Sequence, residues 1–172
     1  MNPRFIRIAI SLLSIVLLMA IGLSCGKGST QSHGSAGFSL LSYTDCKVFI
    51  AKYNIPGIPE ETCLEYIYDD TGTLYLKHIN AVFNCCLDSI SATMNKGDSV
   101  ISIVETEHLL NGGCHCICFY DLEYRLDDIA PGIYSVEISP AEEYSDAGRT
   151  FVIDISEPVI DTVCLSLNMI VE

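Results

Sequence analysis

Residues 128–136, Asp-Ile-Ala-Pro-Gly-Ile-Tyr-Ser-Val, decide the fold that we expect for this chain. Pro131-Gly132 is a strong turn signal, because proline fixes φ and glycine accepts conformations closed to other residues. The six residues after the turn, Ile133 to Ile138, are rich in β-branched and aromatic side chains and predict a strand. Tyr134 then stands at the start of a core strand, where a buried ring needs a backbone acceptor for its hydroxyl group.

Short strand patterns of the same kind recur along the chain from residue 38 onward. About eight of them, with turn signals every 8–12 residues, favour a β-sandwich. Asp69 to Gly72 and Asn95 to Asp98 would close two hairpins. Pro59, followed by two glutamates, leaves a short helix before the first hairpin as an alternative. The strand candidates are residues 65–68, 73–76, 90–94, 100–104, 114–125, 133–138, 150–155 and 163–167.

The apolar-x-Pro-Gly-x-Tyr-x-Val pattern of residues 129–136 resembles a signature of immunoglobulin-like and transthyretin-like sandwich modules in secreted proteins. The resemblance implies that Tyr134 forms a tyrosine corner, with its hydroxyl group tied back to nearby backbone. It implies an architecture and not an activity. We therefore expect an all-β protein, an antiparallel β-sandwich stapled by disulfides.

The first residues of the chain have the pattern of an export signal. Arg4 and Arg7 precede an apolar run that ends in small residues at Cys25. Residues 21–25, Ile-Gly-Leu-Ser-Cys, resemble the bacterial lipoprotein signal, although two positions depart from the usual residues. The resemblance implies cleavage before Cys25, lipidation of Cys25 and attachment to the membrane through the lipid. An uncleaved transmembrane helix over residues 5–23 and plain secretion are the alternatives.

Three segments follow from this interpretation: a lipoprotein signal peptide at 1–24, a lipidated cysteine with a flexible Gly/Ser-rich tether at 25–37, and a single sandwich domain at 38–172. Both basic leader residues are lost on cleavage, so the remainder has a formal charge of 7 − 22 = −15. Such a surface repels nucleic acid. The acidic residues are spread along the chain, which is typical of a soluble exposed surface.

Eight cysteines follow the anchor, and an even number in an exported protein predicts disulfides. They are Cys46, Cys63, Cys85, Cys86, Cys114, Cys116, Cys118 and Cys164.

Residues 114–118, Cys-His-Cys-Ile-Cys, are the strongest local pattern among these cysteines. On a strand, period two would put all three cysteines on one face, about 6.5–7 Å apart, at or beyond disulfide reach. Each should then bond to a different cysteine elsewhere. Cys85 and Cys86 face opposite ways on a strand, so we expect them to have different partners, at least one of them among these three.

A metal site is the alternative use of the cysteines. On a strand, four side chains would share a face: His78, Asn80, Asn84 and Cys86. Imidazole with thiolates suits zinc or copper. The alternative hypothesis is therefore a metal-binding or thiol-redox envelope protein that uses the cysteine cluster of Cys85, Cys86, Cys114, Cys116 and Cys118. Its metal ligands would be His78, Cys86, Cys114 and Cys116. The main interpretation has no metal and no cofactor.

The combined pattern of residues 78–86 and 114–118 resembles one found in small bacterial lipoproteins of unknown function, which carries no activity across. The chain also lacks a serine nucleophile elbow, a zincin helix and a phosphate-binding loop. We expect a non-enzymatic interaction or structural module, lipid-anchored in a bacterial cell envelope at the outer membrane or cell surface. Its partner would be a protein or glycan, and not a nucleic acid.

Overall fold

The computed structural model of this protein describes residues 37–50, 57–140 and 148–167. The leader, Cys25 and most of the tether lie outside these residues. The described ranges contain ten β-strands and one 3-10 turn at Leu110–Gly112. The strands are β1 (Phe38–Tyr43), β2 (Phe49–Ile50), β3 (Glu61–Tyr68), β4 (Leu74–Asn84), β5 (Leu87–Lys96), β6 (Val100–Leu109), β7 (Ile117–Leu126), β8 (Ile133–Pro140), β9 (Arg149–Asp154) and β10 (Val159–Ser166).

These strands form two sheets that pack on each other. The larger sheet has the order β1-β7-β4-β3-β10, with β2 pairing beside β1 on the same edge of β7. The smaller sheet has the order β5-β6-β8-β9. Their inner faces supply a single apolar core. The predicted all-β sandwich stapled by disulfides is confirmed.

One pair of strands departs from the expected antiparallel arrangement, because β6 and β8 run parallel. After β6 the chain crosses to the larger sheet, forms β7 there, and returns to the smaller sheet as β8. Two reversals of direction bring β8 back beside β6 in the same sense. Hairpin signals predict neighbouring strands that are joined by a tight turn. The connection from β6 to β8 runs through β7 and contains no such turn between the two paired strands.

The helix considered for residues 59–68 is not formed, because residues 61–68 are strand β3. Every second side chain of β3 is buried, beginning at Thr62, and the alternation runs through Tyr68. The strand also pairs on both sides, with β4 and β10. Two ladders and a period-two core face outweigh the helix-start signal of Pro59.

Both predicted hairpins are present, as β3–β4 and β5–β6. In the first turn, Asp69 Oδ1 accepts hydrogen bonds from the backbone N–H groups of Thr71 and Thr73 and from the Thr71 hydroxyl group. These bonds, with that hydroxyl group foremost, lower the pKa of Asp69. Gly72 accepts the positive φ of 82° that closes the turn.

Strand β8 begins as predicted, and its buried face is Tyr134, Val136 and Ile138. Ile133, by contrast, points outward and is 61% exposed. The Tyr134 ring is buried, and its hydroxyl group donates to the carbonyl oxygen of Ala130 at 3.0 Å. Burial and a local backbone acceptor are the two features expected of this tyrosine.

Substitutions of Tyr134 should separate the hydrogen bond from the ring. Tyr134→Phe should lower the free energy of unfolding by about 1 kcal/mol, because one buried hydrogen bond is lost. Tyr134→Ala should lower it by about 3–5 kcal/mol, because a cavity is added. Urea unfolding with the disulfides intact measures both. Tyr75→Phe, on the half-buried outer side of β4, is the control and should stay within about 0.5 kcal/mol. A neutral Tyr134→Ala would contradict the burial.

Candidate functional site

All eight cysteines are paired, in four disulfides: Cys46–Cys118, Cys63–Cys164, Cys85–Cys116 and Cys86–Cys114. The first ties the segment after β1 to β7. The second joins directly opposed positions of β3 and β10 on the outer face of the larger sheet. The other two both connect the end of β4 with the loop before β7. We call the four sulfur atoms of these last two bonds the sulfur cluster.

The three cysteines of residues 114–118 have three different partners, but they do not share a strand face. Strand β7 begins at Ile117, so Cys114 and Cys116 belong to the preceding loop. Gly112 and Gly113, both at positive φ, turn the chain there in a way that a strand does not allow. Freed from the strand spacing, the sulfur atoms of Cys114 and Cys116 lie 3.2 Å apart.

Asn84 holds the two halves of the sulfur cluster together. Its side-chain oxygen accepts from the backbone N–H of Cys86 at 2.8 Å and from that of Cys114 at 3.1 Å. Its amide nitrogen donates to the Cys114 carbonyl oxygen at 2.7 Å. Its own backbone N–H donates to Glu107 Oε2 at 2.7 Å. The sequence pattern contained this asparagine, but only the fold shows that it organises the loop.

The sulfur cluster is accessible at the surface of the molecule. All four of its cysteines are half-buried, and His115 between two of them is exposed. By contrast, Cys118 is completely buried in the core. The cluster can therefore meet a reagent in solution, whereas the Cys118 side of its disulfide is shielded by the core.

His78, the imidazole of the alternative metal hypothesis, is not part of the sulfur cluster. It lies six residues before the end of β4, roughly 20 Å along an extended strand. Both of its ring nitrogens have other partners, at Thr62 and Glu105. The face expected to join His78 to Cys86 is interrupted at Asn80, whose φ of 62° marks a shift in the β4–β7 register.

One group of potential metal ligands occurs in the ranges that the structure describes. It consists of Glu61, Cys63 and Cys164, whose donor atoms lie within 4.8 Å of one another. Cys63 and Cys164 are bonded to each other, so neither offers a thiolate. In this oxidised form the group has one carboxylate as its only charged ligand.

A chain of polar side chains crosses the core between the sheets. The Thr62 hydroxyl group lies 3.0 Å from His78 Nε2 and 3.0 Å from the Ile79 carbonyl oxygen, within hydrogen-bond distance of both. His78 Nδ1 lies 2.8 Å from Glu105 Oε1. The Tyr124 hydroxyl group donates to the same carboxylate oxygen. Glu105 comes from the smaller sheet and the other side chains come from the larger one, so this network bridges the two layers.

The bridging network is closed to solvent. Thr62, His78, Glu105 and Tyr124 are each at most 5% exposed. Burial raises the pKa of the Tyr124 phenol well above its usual value, and the neighbouring Glu105 carboxylate adds to the effect. Within the described residues these side chains are almost wholly removed from solvent, and their hydrogen bonds join the two sheets.

Comparisons of this chain with protein-family models, with curated proteins and with solved structures find no match. The ranges described by the structure hold no helix with the length and apolar character required to cross a membrane.

Removing Glu105 should be costly, because His78 and Tyr124 would keep buried polar atoms without their partner. Glu105→Ala should lower the free energy of unfolding by about 3–5 kcal/mol. Glu65→Ala, on the exposed face of β3, is the matched control and should change it by no more than about 0.5 kcal/mol. Urea unfolding curves give both values. Equal effects of the two substitutions would show that the bridging network adds no stability.

Alkaline pH should destabilise the fold. Burial raises the pKa values of Tyr66, Tyr68, Tyr120 and Tyr124 above the ordinary value of 10.0. Above that pH the unfolded chain loses phenolic protons before the folded one, so the free energy of unfolding falls as pH rises. Urea unfolding at pH 8 and pH 11, two values chosen about that midpoint, should show the drop. Tyr124→Phe should show a smaller drop than wild type; an equal drop would contradict a protonated, buried Tyr124.

Proposed function

We propose that this protein is a lipid-anchored component of a bacterial cell envelope, whose sandwich domain is a non-enzymatic binding module. The observation that carries the proposal is that the nine cysteines fall into two groups. One follows an apolar, signal-like run, and the other eight are all paired in disulfides. Disulfides persist in oxidising compartments outside the cytoplasm, and a cysteine directly after an export signal is the acceptor for lipid.

The tether fits this arrangement. The twelve residues from Gly26 to Gly37 separate the proposed anchor from β1. A Gly/Ser-rich segment of this length spans roughly 20 Å. The domain would therefore stand clear of the lipid headgroups, which its acidic surface would otherwise face directly.

The outer face of the larger sheet is the surface that suits a binding role. Ile67 and Ile160 are paired across β3 and β10 and are 45% and 79% exposed. Tyr75 is the next residue across the sheet, and the Arg125 guanidinium group lies over its ring at 5.9 Å. Exposed apolar side chains and a half-buried tyrosine beside a cation, on the outer face of a sheet, are features of surfaces that bind proteins or glycans.

A non-enzymatic role is supported by the placement of the titratable groups. Among the described residues, the network of His78, Glu105 and Tyr124 is buried at every member, so it meets no substrate. The acidic balance of the domain argues against a nucleic acid partner.

Substitution of the proposed anchor tests the location. Wild type should incorporate labelled palmitate and enter the detergent phase on partitioning, whereas Cys25→Ala should do neither. Ser29→Ala, within the tether, is the control and should behave as wild type.

Two outcomes would overturn the proposal. A Cys25→Ala chain that still fractionates with membranes would indicate a retained helix over residues 5–23. An unlabelled wild-type chain recovered in the soluble fraction would indicate plain secretion.

A further inference from the structure

We propose that the sulfur cluster is a thiol–disulfide exchange site whose second pairing is Cys114–Cys116, and that its substrate class is a dithiol. This inference goes beyond the binding role and does not depend on the lipid anchor. It rests on the contact between the two disulfides, on their redundancy as staples, on the hydrogen bonds that surround them and on their accessibility.

The two disulfides of the sulfur cluster are in contact. The sulfur atoms of Cys114 and Cys116 belong to different disulfides and lie 3.2 Å apart. Reacting atoms held at about 3–3.5 Å are at near-attack separation, and an intramolecular attack at that separation gains a large effective concentration. A thiolate released at either cysteine is therefore already beside the disulfide sulfur that it would attack.

The two bonds are redundant as staples. Cys85–Cys116 and Cys86–Cys114 span 31 and 28 residues and connect the same two short segments. Once one bond has closed that long loop, the other closes only the few residues between the two. Because the restraint that a disulfide places on the unfolded chain grows with the loop that it closes, the second bond adds less restraint than the first. One of them can open while the loop stays attached.

Hydrogen bonds would hold the site in shape during that opening. Asn84 bonds the backbone of both segments through its side chain. The N–H of Leu110 donates to the Cys86 carbonyl oxygen at 3.0 Å. These contacts use backbone and amide atoms, so they survive when a sulfur–sulfur bond breaks, and they keep the released thiolate near its next partner.

The exchange is balanced in sulfur–sulfur bonds. A thiolate of the dithiol attacks Cys86 Sγ, forms a mixed disulfide and releases the Cys114 thiolate. Cys114 then attacks Cys116 Sγ, which forms Cys114–Cys116 and releases the Cys85 thiolate, which takes a proton from water. The second thiol of the reagent resolves the mixed disulfide and releases Cys86. The dithiol leaves as its disulfide, and the protein keeps one bond of the cluster and gains two thiols.

A single substitution tests the internal step without any reductant. Cys85→Ser leaves Cys116 without its partner, and the Cys116 thiolate should attack Cys114 and release Cys86. In the full chain, quenched in acid, alkylated and mapped, the free thiol should be found on both Cys86 and Cys116, because the contact allows exchange in both directions.

Cys63→Ser is the matched control, because Cys63 and Cys164 oppose each other on β3 and β10, strands that carry no cysteine of the sulfur cluster, and Cys164 should keep its thiol. Label on Cys116 alone in the Cys85→Ser chain would overturn the proposal, since it would show that the contact does not exchange.

Wild-type protein provides a second test that does not depend on folding of a variant. A limiting amount of dithiothreitol, followed by alkylation, should give a first product labelled on Cys85 and Cys86. Its peptide spanning residues 114–116 should remain about 2 Da lighter than the reduced form, because the new bond removes two hydrogens. Labels on Cys86 and Cys114, or on Cys85 and Cys116, with the other bond unchanged at all times, would show two independent staples and overturn the proposal.

Discussion

Strand β7 is the constraint on which the rest of this structure depends. It pairs with β4 along most of its length on one side and with β1 and β2 on the other, so it has no free edge. Every second side chain from Cys118 to Leu126 is completely buried or nearly so. The strand also places Tyr124 against Glu105 and carries one end of the Cys46–Cys118 bond. Displacing it would break three ladders and expose the apolar core at once, so the disulfides add to a sheet that is already held by burial.

The period-two patterns made most of the sandwich predictable. A strand with one buried face alternates, and the strand candidates at residues 65–68 and 133–138 do so in the structure. The position of Tyr134 at the start of a core strand was predictable, because the Pro-Gly turn marks where that strand begins. The parallel β6–β8 pair was not, since it depends on a connection through the other sheet. Local patterns describe the strand and its turn, and they contain no information on which distant strand lies alongside.

The arrangement of the sulfur cluster and of His78 was predictable only in part. Cysteine count and export context predict disulfides, and geometry forbids adjacent cysteines on a strand from pairing. The strand predicted to begin at Cys114 begins at Ile117 instead, because Gly112 and Gly113 turn the chain before β7 starts. The face proposed for His78 and Cys86 failed because a single residue at Asn80 shifts the register, which reverses the faces of all that follows. The partnership of His78 with Glu105 joins two sheets, so no spacing along the chain indicates it.

The four disulfides differ in the loops that they close. Cys46–Cys118 and Cys63–Cys164 close loops of 72 and 101 residues and each restrains the unfolded chain on its own. The two bonds of the sulfur cluster close almost the same loop twice, at a place where Asn84 already joins the segments by hydrogen bonds. The second closure restrains the unfolded chain less than the first, because the loop that remains for it is short. Two bonds that close nearly the same loop, are half-buried and are in sulfur–sulfur contact are suited to exchange, since breaking either one leaves the long loop closed by the other.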